Sequence, residues 1–287
     1  MNKHCVICGK PYCSTTVPWL WRCEICELEV SNFKSNDGEA LLGWDPEAER
    51  FMAPLRRQTT GILIGELSRL RDLNGQRLLD VGCAAGWFLI GARQAGMHAS
   101  GIEPDPEIAK RALANDFEII DGLYPHCVIA GQSYDVVTFH DVFEHFPDPN
   151  EALSATQRIL EPGGILLVNL PSADGIFYRF AKLAARFGRE APLARLWQKG
   201  YESPHLFYFN TDNLQRLVSQ HGFQLMRSGT LPSVSLRGLW GRIREGRQVN
   251  AVVAAMVFIG VLFSYPLLRF ALPADIVFHI YQLREPA

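Results

Sequence analysis

Hydrophobic positions change their spacing several times along the chain, and the changes mark out its elements. Over residues 46–73, apolar side chains such as Leu55, Ile62, Leu63, Leu67 and Leu70 recur near a helical repeat, predicting one or two helices that end at Gly75. Short apolar runs then alternate with amphipathic stretches. The runs at 78–81, 99–103, 117–121, 135–139, 165–170, 223–227 and 276–281 predict strands, and 86–95, 106–114, 150–160 and 211–220 predict helices between most of them. Such alternation means an α/β fold, a mostly parallel sheet with helices on both faces.

Three segments depart from this rhythm. Residues 31–45 read as a polar linker between a Cys-rich stretch, 1–30, and the main domain, 46–287. An insertion at 172–204 carries a basic amphipathic helix, with Phe177, Phe180, Leu183 and Phe187 on one side and Arg179, Lys182, Arg186 and Arg189 elsewhere. That pattern suits a lid over a site or a helix lying on a membrane. A second insertion, 231–274, holds the uncharged run 248–268, preceded by Arg237, Arg242, Arg244 and Arg247. Its length and hydrophobicity meet the criterion for a transmembrane helix. Two features object: Pro266 interrupts the run, and a single crossing would separate the strand at 276–281 from its sheet. Peripheral or re-entrant membrane contact through 248–268 is therefore favoured over a true span and over a lid buried in protein.

Composition narrows the function classes. With 287 residues, 48% of them hydrophobic, 24 Gly and 17 Pro, the chain is neither disordered, collagen-like nor coiled coil. A net charge of −2 argues against a broad nucleic-acid grip, so no nucleic-acid partner is expected. The first 30 residues lack a charged start followed by an apolar run, so the expected location is the cytoplasm, free or peripheral on the cytosolic face of a membrane. Five of the 7 cysteines fall within the first 26 residues. Cys5 and Cys8 form one CxxC pair and Cys23 and Cys26 another, so four thiolates can close around one zinc ion in a zinc-ribbon-like module. A filled four-sulfur shell leaves no open position, so such zinc is structural. Cys13 and His4 stand as substitute ligands, and redox or inert buried thiols are the alternative reading.

In parallel sheets, ligands bind beyond the carboxyl ends of the strands. Three such ends are informative. Asp80-Val81-Gly82-Cys83-Ala84-Ala85-Gly86 runs from a strand through a glycine turn into a helix. Ala84 and Trp87 stand where a dinucleotide fingerprint needs glycine, which disfavours nicotinamide and flavin cofactors. Glu103 ends the next strand, where a carboxylate can accept both hydroxyls of a ribose. Asp121-Gly122 ends the third, where an adenine edge could be met.

With these stand LLDVGCAAGWF (78–88), GIEPDP (101–106), DVVTFHDVFEHFPDP (135–149), LEPGGILLVNLP (160–171) and HLFYFNTDNLQRLVSQHGF (205–223). Together they resemble the class I S-adenosylmethionine-dependent methyltransferases, over about residues 55–230, and within them the group similar to the ubiquinone-biosynthesis O-methyltransferases. The resemblance implies a Rossmann-like seven-stranded sheet with a reversed last hairpin. It implies S-adenosyl-L-methionine as cofactor, its methionine part held by Asp80, Gly82 and Gly86, its ribose by Glu103 and its adenine by Asp121 and Gly122, with Cys83 of the same turn also cofactor-binding. His140 falls where such enzymes meet the methionine end and face the acceptor. Ala84 departs from the family's usual glycine, a change expected to leave the turn intact.

Methyl transfer is an in-line displacement, and a base is needed only when the nucleophile starts protonated. His140, Glu144, His145 and His205 are the candidates, with His140 or His205 favoured and Glu144 and His145 equally readable as braces of the following helix. The expected acceptor is a small molecule or a lipid-like compound modified at oxygen; sugar and polyketide acceptors stay open. The alternatives are a non-catalytic scaffold recruiting partners through its zinc module and apolar tail, and an RNA methylase, weakened by the few cations (Lys3, Lys10, Arg22) of the Cys-rich stretch.

Overall fold

A computed structural model describes residues 4–34, 46–128, 131–234, 236, 238–244 and 250–284. Most of the 31–45 linker, Arg237, Arg247 and the first two residues of the 248–268 run lie outside the described residues. In chain order the elements are β1 (Cys13–Ser14), β2 (Leu20–Arg22), β3 (Glu29–Ser31), α1 (Pro46–Ser68), β4 (Arg77–Val81), α2 (Trp87–Gln94), β5 (His98–Glu103), α3 (Pro106–Leu113) and β6 (Glu118–Asp121). There follow β7 (Tyr134–His140), a 3₁₀ turn (Phe143–His145), α4 (Pro149–Ile159), β8 (Leu160–Pro171), α5 (Ile176–Arg186), α6 (Ala191–Leu196) and β9 (Phe207–Tyr208). The chain continues with α7 (Thr211–Ser219), β10 (Phe223–Leu231), α8 (Leu239–Arg244), α9 (Ala251–Phe270) and β11 (Ile276–Leu283).

Seven strands form one sheet in the order β10-β11-β8-β7-β4-β5-β6. The pairs from β8 to β6 are parallel, and β11 runs antiparallel to both β8 and β10. The reversed strand requires the chain to leave after β10 and return beside it, which is the excursion that carries α8 and α9. Strand order also reverses between β4 and β7: the chain builds outward through β5 and β6, then crosses back. That switch point opens a crevice at the carboxyl ends.

The strands are apolar on both faces because both are covered. Leu78, Val136, Ile165 and Leu167 pack with Leu63 and Leu67 of α1 and Phe88, Leu89 and Ala92 of α2. Their neighbours Leu79, Val137, Leu166 and Val168 face Leu153 of α4 and Leu214 and Leu217 of α7. Helix starts follow their capping residues. Asp105 accepts from the backbone N–H of Glu107 and Ile108 ahead of Pro106, and Asp148 accepts from Asn150 and Glu151 ahead of Pro149. Asn210 and Asn213 form a reciprocal cap on α7.

The Cys-rich stretch packs on this domain. Its strands form a second sheet, β1-β2-β3-β9, whose last strand comes from residues 207–208 of the main domain. Val6, Ile7 and Cys26 carbonyls accept from Asn150, Gln220 and Asn213 side chains. Trp19 packs against Phe33 and Trp197, and buried Glu29 accepts from Tyr178 and Lys182 of α5. Among the described residues no helix is long and apolar enough to cross a membrane.

Candidate active site

The sharp turn after β4 is built around close backbone contacts. Gly82 sits at φ 69°, and a Cβ there would lie 2.6 Å from Val142 Cγ2, so only glycine fits. The N–H groups of Gly82 and Cys83 both donate to the Ile102 carbonyl. Ala84 adopts φ 47°, a left-handed conformation in which a side chain is strained. Its N–H donates to Glu103 Oε2 at 2.9 Å, while Asp105 N–H donates to Oε1 at 3.0 Å. Glu103 is thus buried and fixed, with lone pairs still open on each oxygen. Burial raises its pKa above the usual carboxylate range against the pull of those two N–H groups.

Gly82, Ala84, Glu103 and Pro104 line one side of a cavity of about 540 Å³ at the carboxyl ends. Gly122, Leu123, Tyr124, His140, Asp141, Val142, His145, Ser203 and Pro204 also line it. This volume lies in the range of small-ligand pockets. A larger hollow of about 790 Å³, lined by Arg77, His98, Ser100, Glu118 and Tyr134, sits at the opposite, amino ends of the strands. Ligands of parallel sheets bind beyond the carboxyl ends of the strands, which favours the smaller cavity, lined also by His140, Asp141 and His145.

Asp80 is buried at the end of β4 and accepts from Thr138 Oγ1 at 2.8 Å. Burial, assisted by the charge of Glu103, pushes its pKa up to about 7. His140 ends β7 with its Nε2 3.7 Å from Asp80 Oδ1. Asn169 Nδ2 donates to Asp141 Oδ1, so Asn169 Oδ1 is left as the acceptor for His140 Nδ1–H. That tautomer leaves His140 Nε2 as a buried lone pair without a partner, pointed at a second acceptor. Burial lowers the His140 pKa to about 4, so the ring is neutral at pH 7. The two atoms thus present a pair of acceptors, a set whose chemistry matches a hydrogen-bond donor such as an ammonium group.

The second cluster is Glu144, His145 and His205, whose ligand-capable atoms lie within 4.8 Å of one another. His145 lines the cavity; its Nδ1–H faces the Pro204 carbonyl at 3.0 Å, which leaves Nε2 as the basic nitrogen. Burial lowers its pKa to about 4. Contrary to the expectation that His205 faces the acceptor, its ring is buried behind His145, in edge contact at 4.8 Å, and does not line the cavity. Its Nε2 is 3.8 Å from Glu144 Oε1, and neither Glu144 oxygen has a hydrogen-bond partner. Burial, with Asp141 nearby, raises the Glu144 pKa well above the usual range.

Other expected positions also shift in role. Asp121 is exposed at the end of β6 and outside the cavity lining, so Gly122 and Leu123 supply that wall. Gly86, at φ 78°, caps α2 without reaching the cavity, and the Cys83 thiol packs against Gly101, where a Cβ would lie 2.4 Å away. Arg56 of α1 and Asn169 are contributors that periodicity alone did not single out: one lines the cavity, the other fixes the His140 tautomer. Asn169 could have been found as a polar residue inside an otherwise apolar strand. At the amino terminus Cys5, Cys8, Cys23 and Cys26 converge, their sulfurs within 4.8 Å of one another and Cys8 Sγ 3.6 Å from Cys23 Sγ. Four sulfurs at about 2.3 Å from a common centre require separations of this order. Cys13 is exposed on β1, outside the set.

Comparison with known proteins agrees with this geometry. A profile described as a methyltransferase domain matches residues 55–228. The ubiquinone biosynthesis O-methyltransferase of Alkalilimnicola ehrlichii is 29% identical over 185 residues, 58% of this chain and 68% of its own. That of Bordetella avium is 31% identical over 156 residues, 50% of this chain and 62% of its own. Among solved structures, magnesium protoporphyrin IX methyltransferase from Synechocystis PCC 6803, with bound S-adenosylhomocysteine, covers 85% of this chain and 90% of its own at 13% identity, TM-score 0.53. An S-adenosylmethionine-dependent methyltransferase from Mesorhizobium loti covers 76% and 96% at 13% identity, TM-score 0.50.

Proposed function

We propose that this chain, which belongs to the methyltransferase-domain family and is an S-adenosylmethionine-dependent methyltransferase, methylates an oxygen of a small-molecule or lipid-like acceptor, with His145 as general base. The observation that carries the reading is the placement of His145: it lines the same cavity as Gly82 and Glu103, with its Nδ1–H held by the Pro204 carbonyl. The relatives named as O-methyltransferases support oxygen as the target.

When bound, S-adenosylmethionine supplies a sulfonium-activated methyl group. Glu103 would accept the ribose hydroxyls with its remaining lone pairs, and the Gly82 turn would let the nucleoside approach the backbone. Asp80 and His140 Nε2 would share the ammonium of the methionine part, which gives the buried lone pair of His140 its missing donor. His140 is then a binding group rather than the base. His145 takes the acceptor's hydroxyl proton on Nε2 as the oxygen attacks, and Glu144 and His205 behind it offer a buried carboxyl and a second ring to stabilise the charged imidazole. Positioning and exclusion of water supply most of the remaining acceleration.

Cys5, Cys8, Cys23 and Cys26 would hold one zinc ion in a closed four-sulfur shell. Its role is structural and reaches the site by one step: β3 pairs with β9, and Ser31 bonds the backbone of His205 and Leu206, the segment that backs His145.

The test uses the purified protein, S-adenosylmethionine and a panel of catechols, phenols and hydroxylated isoprenoids. His145→Ala should lower kcat by about 100-fold or more while binding S-adenosylhomocysteine as the wild type does. His205→Ala should cost less, since that ring does not meet the cavity. Unimpaired turnover by His145→Ala would remove it from the base role.

A further inference from the structure

We infer that α9 and α5 form one lipid-docking platform, which seats the enzyme in the plane of an anionic membrane surface beside the entrance to its site. The inference goes beyond the acceptor reading and does not rest on it: membrane binding can fail while methyl transfer holds, and the reverse.

The first observation is α9, 20 residues long and apolar all round. Ala254 is fully buried, and Phe258, Val261 and Tyr265 continue its half-buried inner stripe; Phe258 meets Trp240 of α8 edge-on. The outer surface ought to be polar in a helix that faces water. Instead Val252, Met256, Ile259, Phe263 and Leu267 form an exposed row, with Phe263 81% exposed. A contiguous apolar surface of this kind needs a cover.

The second observation is α5. Tyr178, Ala181 and Ala185 bury one face, while Phe180, Leu183 and Phe187 stand exposed along the opposite one, Phe187 at 78%. Exposed Arg179 and Arg186 flank that row, whereas Lys182 between them is already paired with Glu29. None of the helices α5, α8 and α9 contains an Asp or Glu. An apolar row flanked by two exposed arginines fits an anionic lipid surface, where apolar burial and charge attraction act together. A protein partner or a second copy would satisfy the apolar row but leave Arg179 and Arg186 without a reason.

The two helices are joined at one end. The chain leaving α9 passes Pro273 and Asp275, whose carbonyl and carboxylate accept from the N–H groups of Ile176 and Phe177 at the start of α5. This places the platform at the carboxyl ends of the strands, on the side of the site. Leu231, Pro232 and Ile276, the residues that open and close the α8–α9 excursion, line a smaller cavity together with Asp80 and His140.

The same connections choose the orientation. A helix of this length extends about 30 Å. Both of its flanks belong to one folded domain: α8 packs on α1, and β11 is hydrogen-bonded between β8 and β10. A crossing would place the two flanks on opposite sides of the membrane. Lying in the plane, α9 buries its outer row and keeps the sheet in water.

Sedimentation with lipid vesicles tests this on the full chain. The wild type should co-sediment with vesicles of equal parts phosphatidylcholine and phosphatidylglycerol, and more weakly with phosphatidylcholine alone. Met256→Gln combined with Phe263→Gln should reduce partitioning by about tenfold or more, as should Phe180→Gln with Phe187→Gln. All four positions lie outside the catalytic machinery, so S-adenosylhomocysteine binding should be unchanged in both variants and certifies their folding. Wild-type levels of partitioning in either double variant would overturn the joint platform. Equal binding to both vesicle types would overturn its anionic preference. A wild type that ignores vesicles but forms a dimer lost on Phe263→Gln would assign the face to a second copy instead.

Discussion

The carboxylate of Asp80 and the ring of His140 are held as a pair of acceptors in a buried place, and their protonation should govern cofactor affinity. Burial raises the Asp80 pKa to about 7, so below that value the group is protonated and offers an ammonium no charge. His140, lowered to about 4, stays neutral across the same interval and does not obscure the effect. Affinity for S-adenosylhomocysteine should therefore rise as pH increases through about 7, by up to about tenfold per unit on the acid side, and then level off. Asp80→Asn should bind more weakly and lose that slope. Calorimetric titration on both sides of neutrality reads it directly, and an unchanged slope in the variant would move the ammonium site elsewhere. These residue roles were legible only in part. Strand ends announce themselves, because a glycine or an acid closing an apolar run is a local signal, and Gly82, Glu103 and Gly122 do line the cavity. Depth is not local: nothing in HDVFEH or SPHL says that His145 meets the cavity while His205 lies behind it.

At the scale of elements, the sheet strands and their helices were readable because each carries its own period and cap. The observed β4, β5, β8 and β11 extend the predicted runs by a few residues. The strand β9 was not readable, since two residues have no periodicity and its partner β3 lies far away in sequence. Joining α5 to β3 has the same character. Glu29, buried, accepts from both Tyr178 and Lys182, with Arg22 Nε at 3.9 Å. Glu29→Ala should lower the unfolding free energy by about 3 kcal/mol, because Tyr178 loses its acceptor in a buried place and two cations lose their counter-charge. Lys182→Ala should cost less, since Tyr178 and Arg22 still serve the carboxylate. Denaturant melts of both variants give the ranking, and the reverse order would mean that the lysine's stem rather than the carboxylate anchors α5.

For the whole molecule, the question is whether the Cys-rich stretch is a module hung on an enzyme or part of one core. Cys5, Ile7, Tyr12, Cys23, Cys26, Leu28 and Val30 belong to the same buried cluster as Leu79, Val137, Phe139, Leu166 and Val168 of the large sheet. Three side chains, from α4, α7 and the residue that caps the end of α7, bond to carbonyls of the knuckles, and the small sheet is completed by β9. A module with its own boundary would bury its apolar residues against itself and cross to the neighbour through polar contacts. Here the apolar residues are shared, so the stretch should have little stability apart from the domain and the domain should feel its loss. With Cys5, Cys8, Cys23 and Cys26 holding zinc as proposed, a strong chelator should lower the midpoint of a single thermal transition, by about 2–4 °C for each kcal/mol withdrawn. Far-ultraviolet circular dichroism, which is dominated by the large domain, and metal release should follow the same curve. Two resolved transitions, with metal lost in the first and the sheet intact until the second, would show a module folding independently, and the path from the cysteines through Ser31 to His205 would then have no energetic content.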